Sequence, residues 1–327
     1  MNILYITHEY GDRWIKYATF LQRLGHKVDL ITLKDKMTPG QVTSKNYSIH
    51  YDIVWIFAAD YIWYKVLSDN FIQAVKNSNS IFIGYCTLNT VIPFRDWVNN
   101  YKAFDICFLH SQLVTDMAKN AGLTNVIYMP YGFDKDEYFK INKRKKYDIT
   151  FMGSAQTNKP LEEDARAQII DALKGFRIRV FGESFKGRVE KSIRVSAFSR
   201  HKEMNNVYNK SRVSLNIPLI NSKLPEFADQ YHPKDRFYEI PGSGNFMISG
   251  YADEFNQQFN GNIHCAYYHD IDDLCSRVEY YLTNEREREE IALAGYHHAL
   301  KYHQTIFRFR DMMNIIKKAY FKDTCTA

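Results

Sequence analysis

"RFYEIPGSGNFMISGY", residues 236–251, decides how the chain is read. A glutamate, a proline and three small residues stand directly before an uncharged apolar run of strand length. The pattern predicts a short helix carrying Glu239, closed by Gly242, Ser243 and Gly244, and then a buried strand. The same alternation recurs on both sides of this stretch. Toward the N-terminus the strand-length runs are "NILYITH", "KVDLITL", "DIVWIFA", "SIFIGYC", "FDICFLH" and "NVIYMP". Amphipathic stretches lie between several of them, such as "RWIKYATFLQRLGH" and "LVTDMAKNAG", the latter ending on a C-cap glycine at 122. Residues 130–146, "PYGFDKDEYFKINKRKK", break the pattern as a linker would. It restarts with "YDITFMGS", a helix over about 161–174, "FRIRVFGE", a helix near 202–210, "RVSLNIPL", the opening stretch, "CAYYH" and a helical tail.

This order predicts an α/β protein of two Rossmann-like, doubly wound domains facing each other across a cleft, with C-terminal helices closing the chain. The expected boundaries are 1–142 for an N-terminal domain and 143–327 for a C-terminal domain with the terminal helices. A length of 327 residues agrees, because one hydrophobic core rarely grows that large. The N-terminus has no basic leader or cleavage site and no apolar run spans a bilayer, so the expected location is the cytoplasm. Five cysteines without a C-x2-C spacing argue against a disulfide framework or a zinc site. Net charge is +6, and Lys143, Arg144, Lys145 and Lys146 form the one basic run, a solvated linker or a weak contact for anionic surfaces.

A carboxylate accepts hydrogen bonds from two vicinal hydroxyls at once, so Glu239 followed by a Gly-Ser-Gly turn is a nucleotide grip of the kind dinucleotide folds use on ribose. The competing reading is an ordinary solvent-facing glutamate on a helix that ends at a glycine turn.

Here the chain resembles the GT-B glycosyltransferases of the group 1 (family 4) type, most closely their spore-maturation-protein-like branch. "EIPGSG" at 239–244 matches the spacing of the family's E-A-x-A-C-G, and Arg236 matches an arginine three residues before that glutamate. The similarity runs on through "PYGFD" at 130–134, "YDITFMGS", "KEMNNVYNKSRVSLNI" and the tail that closes on His303, Thr305 and Arg308. The resemblance implies a nucleotide-sugar-dependent hexosyl- or glycosyltransferase, retaining, with no metal cofactor. It places donor binding on Gly11, Gly153, Ser154, Lys159, Glu239, Ser243 and Gly244, and the catalytic cations on Lys234 and Arg236. It makes 1–142 the acceptor-side domain and 143–327 the nucleotide-sugar donor domain, and His8 and Glu9 become acceptor-side candidates. Glu239 is expected at the cleft mouth, outside either core.

Two positions depart from the family pattern. Tyr231 stands where the first glutamate of an E-x7-E pair belongs, which shifts the sugar contact toward Asp235, and Ser154 stands where many members carry arginine. Diphosphate binding then leans on Lys159, Lys234 or Arg236. The only D-x-D, Asp270 to Asp272, sits where a helix N-cap belongs and reads as capping rather than metal binding. The absence of G-x-G-x-x-G after the first strand argues against a dinucleotide enzyme. A non-catalytic sugar-binding scaffold and a nucleotide-sugar 2-epimerase remain as alternatives on the same fold. The acceptor stays open among polysaccharide, lipid, protein and nucleic acid.

Overall fold

The computed structural model describes residues 1–8, 12–33, 50–57, 68–86, 94–157, 159–197, 201–220, 227 and 230–321. The chain divides into two compact units, Met1–Pro130 with Ile306–Ala327, and Tyr131–Thr305.

The first unit runs β1 (Asn2–His8), α1 (Asp12–Arg23), β2 (Lys27–Leu33), β3 (Ile53–Phe57), α2 (Asp69–Asn77), β4 (Ile81–Cys86), α3 (Phe94–Trp97), β5 (Ile106–Leu109), α4 (Gln112–Asn120) and β6 (Val126–Tyr128). Its parallel sheet has the order β2-β1-β3-β4-β5-β6. β3 and β4 are buried at every residue, which is why they read as unbroken apolar runs rather than alternating ones. Ser68 and Ser111 cap α2 and α4 by accepting the N–H of Phe71 and Val114. Gly122, at φ +86°, follows α4 in the left-handed region that its C-terminal turn requires.

The second unit runs β7 (Tyr147–Met152), α5 (Ala165–Ala172), β8 (Ile178–Phe181), β9 (Arg194–Ser196), α6 (His201–Asn209), β10 (Ser211–Asn216), α7 (Asp235–Gly242), β11 (Phe246–Gly250), α8 (Asp253–Gln258), β12 (Ala266–Tyr268), α9 (Ile271–Thr283) and α10 (Glu285–Tyr302). The sheet order is β12-β11-β10-β7-β8-β9, all parallel, which is the dinucleotide-fold order 3-2-1-4-5-6. Its topological switch point lies between β7 and β10. A last helix, α11 (Thr305–Tyr320), returns to the first unit, where Phe309 packs 5.7 Å from Trp55 and 5.4 Å from Tyr17, ring centre to ring centre.

The compact units therefore part at Pro130/Tyr131 rather than at 142, and the final helix belongs with the first unit. Backbone bonds account for the difference. The N–H groups of Phe139 and Ile141 donate to Asn205 and Asn209 of α6, and Phe133 N donates to the His303 carbonyl, so the segment read as a linker is fastened to the second unit. Lys143, Arg144 and Lys146 are exposed, whereas Lys145 is half-buried and its ammonium is pushed down by burial, a shift that Glu289 opposes. Asp270 caps α9 through the N–H of Asp273 at 2.8 Å, so the acidic cluster has a helical reason. Among the described residues no helix is long and apolar enough to cross a membrane.

Candidate functional site

In open parallel sheets ligands bind beyond the carboxyl ends of the strands at the switch point. In the second unit that place is a small pocket lined by Phe151 of β7, Arg166 of α5, Asn216, Ile217 and Pro218 at the end of β10, and Lys234 and Arg236 at the start of α7. Chain folding explains the assembly. The segment after β10 turns back on itself through Ile220 N to the Gln230 carbonyl and His232 N to the Pro218 carbonyl, which returns the chain at Lys234 to the strand end at Asn216, 18 residues earlier. Arg236 Nε donates to the Met152 carbonyl at 2.6 Å, pinning the first turn of α7 to the end of β7. A Cβ on Gly153 would lie 3.3 Å from Arg236 Nη2 and 2.8 Å from the Phe151 ring, so glycine there leaves room for the guanidinium.

The electrostatics are one-sided. Arg166, Lys234 and Arg236 converge, and the repulsion lowers the pKa of Arg166 and of Lys234. Lys234 is half-buried; desolvation, reinforced by Arg166 and Arg236 and opposed by Asp235, pushes it down to about 7. Arg166 is pushed down to about 10, mainly by burial and next by Arg236. His232 is buried and held neutral, at about 3, by desolvation and by Lys234. A helix N-terminus adds backbone N–H groups and the positive end of its dipole. Such a pocket suits an anion with more than one charged group.

Lys234 gives a pH prediction. At about 7 it is half neutral at neutral pH, and a bound phosphate restores its charge by proton uptake. Affinity for a phosphate-bearing anion should therefore fall between about pH 7 and 9, by as much as about tenfold per unit. The free protein moves the other way in that window. A depressed lysine pKa means the unfolded chain holds more protons, so this group's contribution to stability rises with pH. Calorimetric titration checks this against Lys234→Arg, whose side chain stays charged and should flatten the profile.

The other expected residues fall in several places. Lys159 is half-buried on the loop after β7, where its carbonyl accepts from Arg188 Nη2 at 2.7 Å, and its side chain is not among those lining the pocket. Ser154 is exposed and presents its carbonyl to Arg166 Nη1 at 2.8 Å. Glu239 lies one turn beyond Arg236 on the same face of α7, and it is 1% exposed rather than at an open mouth. The reason is local: every residue of α7 from Phe237 to Gly242 is buried. Ser243 and Gly244 stand at the far end of α7. The Ser243 hydroxyl donates to the Ile240 carbonyl at 2.7 Å. Gly244, at φ +73°, ends the helix, and a Cβ there would come 2.8 Å from the Lys140 side chain. Their small size thus serves the turn and its close packing. Tyr231 is half-buried and stacks on Phe255 at 6.4 Å. Glu9 and Gly11 lie outside the described residues, and His8 is the last residue of β1. Arg166 and His232 went unrecognised in the sequence. The "HPKDR" run at 232–236 marks one of them, but nothing local marks the other.

A family model described as glycosyl transferase-like matches residues 163–314, somewhat under half of the chain and nearly all of the second unit beyond β7. Comparison with curated protein sequences gives no match. Solved structures resemble the whole chain. A glycosyltransferase from Rickettsia africae superposes with a TM-score of 0.69 at 14% identity, covering 99% of each chain. Anabaena HepE in complex with UDP gives 0.64 at 11% identity, over 97% of this chain and 100% of that one. An alpha-glucosyltransferase in complex with UDP and a 13-mer DNA containing an HMU base gives 0.67 at 12% identity, over 97% and 99%. Identities of this size carry the fold, and the fold is that of the GT-B glycosyltransferases.

Proposed function

We propose that the protein is a glycosyltransferase that takes its sugar from a nucleotide-sugar, with the donor diphosphate in the pocket at the start of α7. The observation that carries this reading is the convergence of three cations at the switch point of the second sheet. When the anomeric carbon–oxygen bond breaks, the electron pair leaves on the diphosphate, and fixed cations with helix N–H groups stabilise that charge. Lys234 and Arg236 take this role. Glu239 accepts from the ribose hydroxyls, one turn along the same helix. The acceptor oxygen bonds to the anomeric carbon, and its proton passes to a phosphate oxygen of the leaving group. Retention of configuration follows from the family resemblance, as does the lack of a metal requirement. The solved relatives that hold UDP support the donor class. For the acceptor, the relative crystallised with DNA makes nucleic acid one class worth assaying beside polysaccharide, lipid and protein.

Thermal unfolding with a panel of nucleoside diphosphates tests the reading. The matching nucleotide at about 100 times its dissociation constant should stabilise the second unit by about 2.7 kcal/mol, in EDTA as well as in magnesium. Stabilisation that vanishes with EDTA would overturn the metal-free donor site, and no response to any nucleotide would overturn the donor site itself.

A further inference from the structure

Of the three cations that line the pocket, Arg166 is the one to which the proposed function gives no bond to the donor. Arg166 is 6% exposed and lies in the first turn of α5. Its Nη1 donates to the Ser154 carbonyl at 2.8 Å and its Nη2 donates to the Leu219 carbonyl. These two bonds join the loop after β7 to the loop after β10, the two loops that border the pocket. They use two of the five N–H donors of a guanidinium, and Nε has no hydrogen-bond partner among the described residues. The neighbouring carboxylate is engaged elsewhere. Asp164 Oδ2 takes Arg188 Nε and the N–H of Gln156, both at 3.1 Å, while Oδ1 caps α5 through the N–H of Ala167. A buried guanidinium that hydrogen-bonds only to carbonyls, attracted through space by Asp164 but set beside two further cations, is costly in the free protein. An anion in the pocket offsets that cost.

We propose that Arg166 is a third phosphate-binding residue of this pocket, which clamps the two loops with two of its donors and offers the remainder to one of two linked phosphates. This inference rests on the donor-site reading and adds to it a residue supplied by α5. Three convergent cations should favour pyrophosphate over a single phosphate.

The test is calorimetric titration of the full chain with inorganic pyrophosphate and with inorganic phosphate, for the natural protein and for R166Q, R166K and R236Q, with unfolding midpoints alongside. The natural protein should bind pyrophosphate more tightly than phosphate. R166Q should lose at least about tenfold for pyrophosphate, the usual effect of deleting a charged hydrogen bond. R166K should fall between, since lysine keeps the charge without the planar fork. R166Q binding as tightly as the natural protein while R236Q is weakened would overturn the inference and leave the donor site standing. Equal losses in R166K and R166Q would show that the residue acts only through the two carbonyls, which also overturns the phosphate contact. Should R166Q fail to fold, unchanged affinity in R166K overturns it. A natural protein that binds no pyrophosphate would overturn both the inference and the site beneath it.

Discussion

Arg236→Ala should lower donor cleavage by about a hundredfold or more while moving the unfolding midpoint by only a few degrees. The asymmetry comes from what the side chain touches. In the free protein the guanidinium makes one bond to the Met152 carbonyl, worth about 1 kcal/mol net. Against that loss, its removal relieves repulsion that Arg236 exerts on both Arg166 and Lys234. The two effects oppose each other, so folding changes little. In the proposed reaction the same cation faces a diphosphate whose charge grows as the glycosidic bond breaks, and nothing offsets its absence there. Steady-state rates and melting curves on the same preparation check this. Normal turnover would transfer the role to Lys234 and Arg166, and a collapse of the midpoint would mark Arg236 as structural.

The second large effect is expected at Glu239. Its burial makes alanine a poor probe, because truncation would also open a cavity in a helix packed on all sides. Glu239→Gln keeps the shape. The amide exchanges one acceptor oxygen for a donor and removes the charge, so two ribose hydroxyls lose their common partner. Nucleoside diphosphate affinity should fall about 5- to 150-fold, the equivalent of about 1–3 kcal/mol. Stability should hold or rise slightly, since a buried carboxylate carries a desolvation penalty that an amide largely avoids. A 2′,3′-dideoxy nucleotide closes the cycle. It should bind the natural protein poorly and lose little more in the Gln variant, because both changes remove the same contacts. Additive losses would separate Glu239 from the ribose.

Much of the fold was legible because a doubly wound sheet writes itself as apolar runs between amphipathic segments. β2 and β7 begin at the residues where their runs begin, and Gly122 follows the helix that its sequence predicts. β9 was not legible. Arg194–Ser196 is three residues long at the edge of the sheet, without a buried residue to mark it. The unit boundary was hidden for a related reason. Pro, Gly and charge read as a linker, whereas Asn205 and Asn209 fasten the backbone of residues 139–141 from α6. In the pocket, Lys234 and Arg236 follow from one contiguous stretch, while Glu239 of the same stretch is buried one turn further along α7, outside the pocket lining. Arg166 does not, because a basic residue in "DARAQIIDA" looks like the solvent face of an amphipathic helix, and only tertiary packing turns it inward. Gly244 shows the converse, a small residue read as a ligand approach that a left-handed helix end and Lys140 already account for.

The most direct test of the central claim is the release of nucleoside diphosphate from a panel of nucleotide-sugars by the purified chain, with EDTA present and without added acceptor. Slow release from at least one donor is expected, lost in Arg236→Ala and weakened at low donor concentration in Glu239→Gln. A donor that binds tightly and is returned intact, by the natural protein as by Arg236→Ala, would contradict it and leave a nucleotide-sugar-binding scaffold.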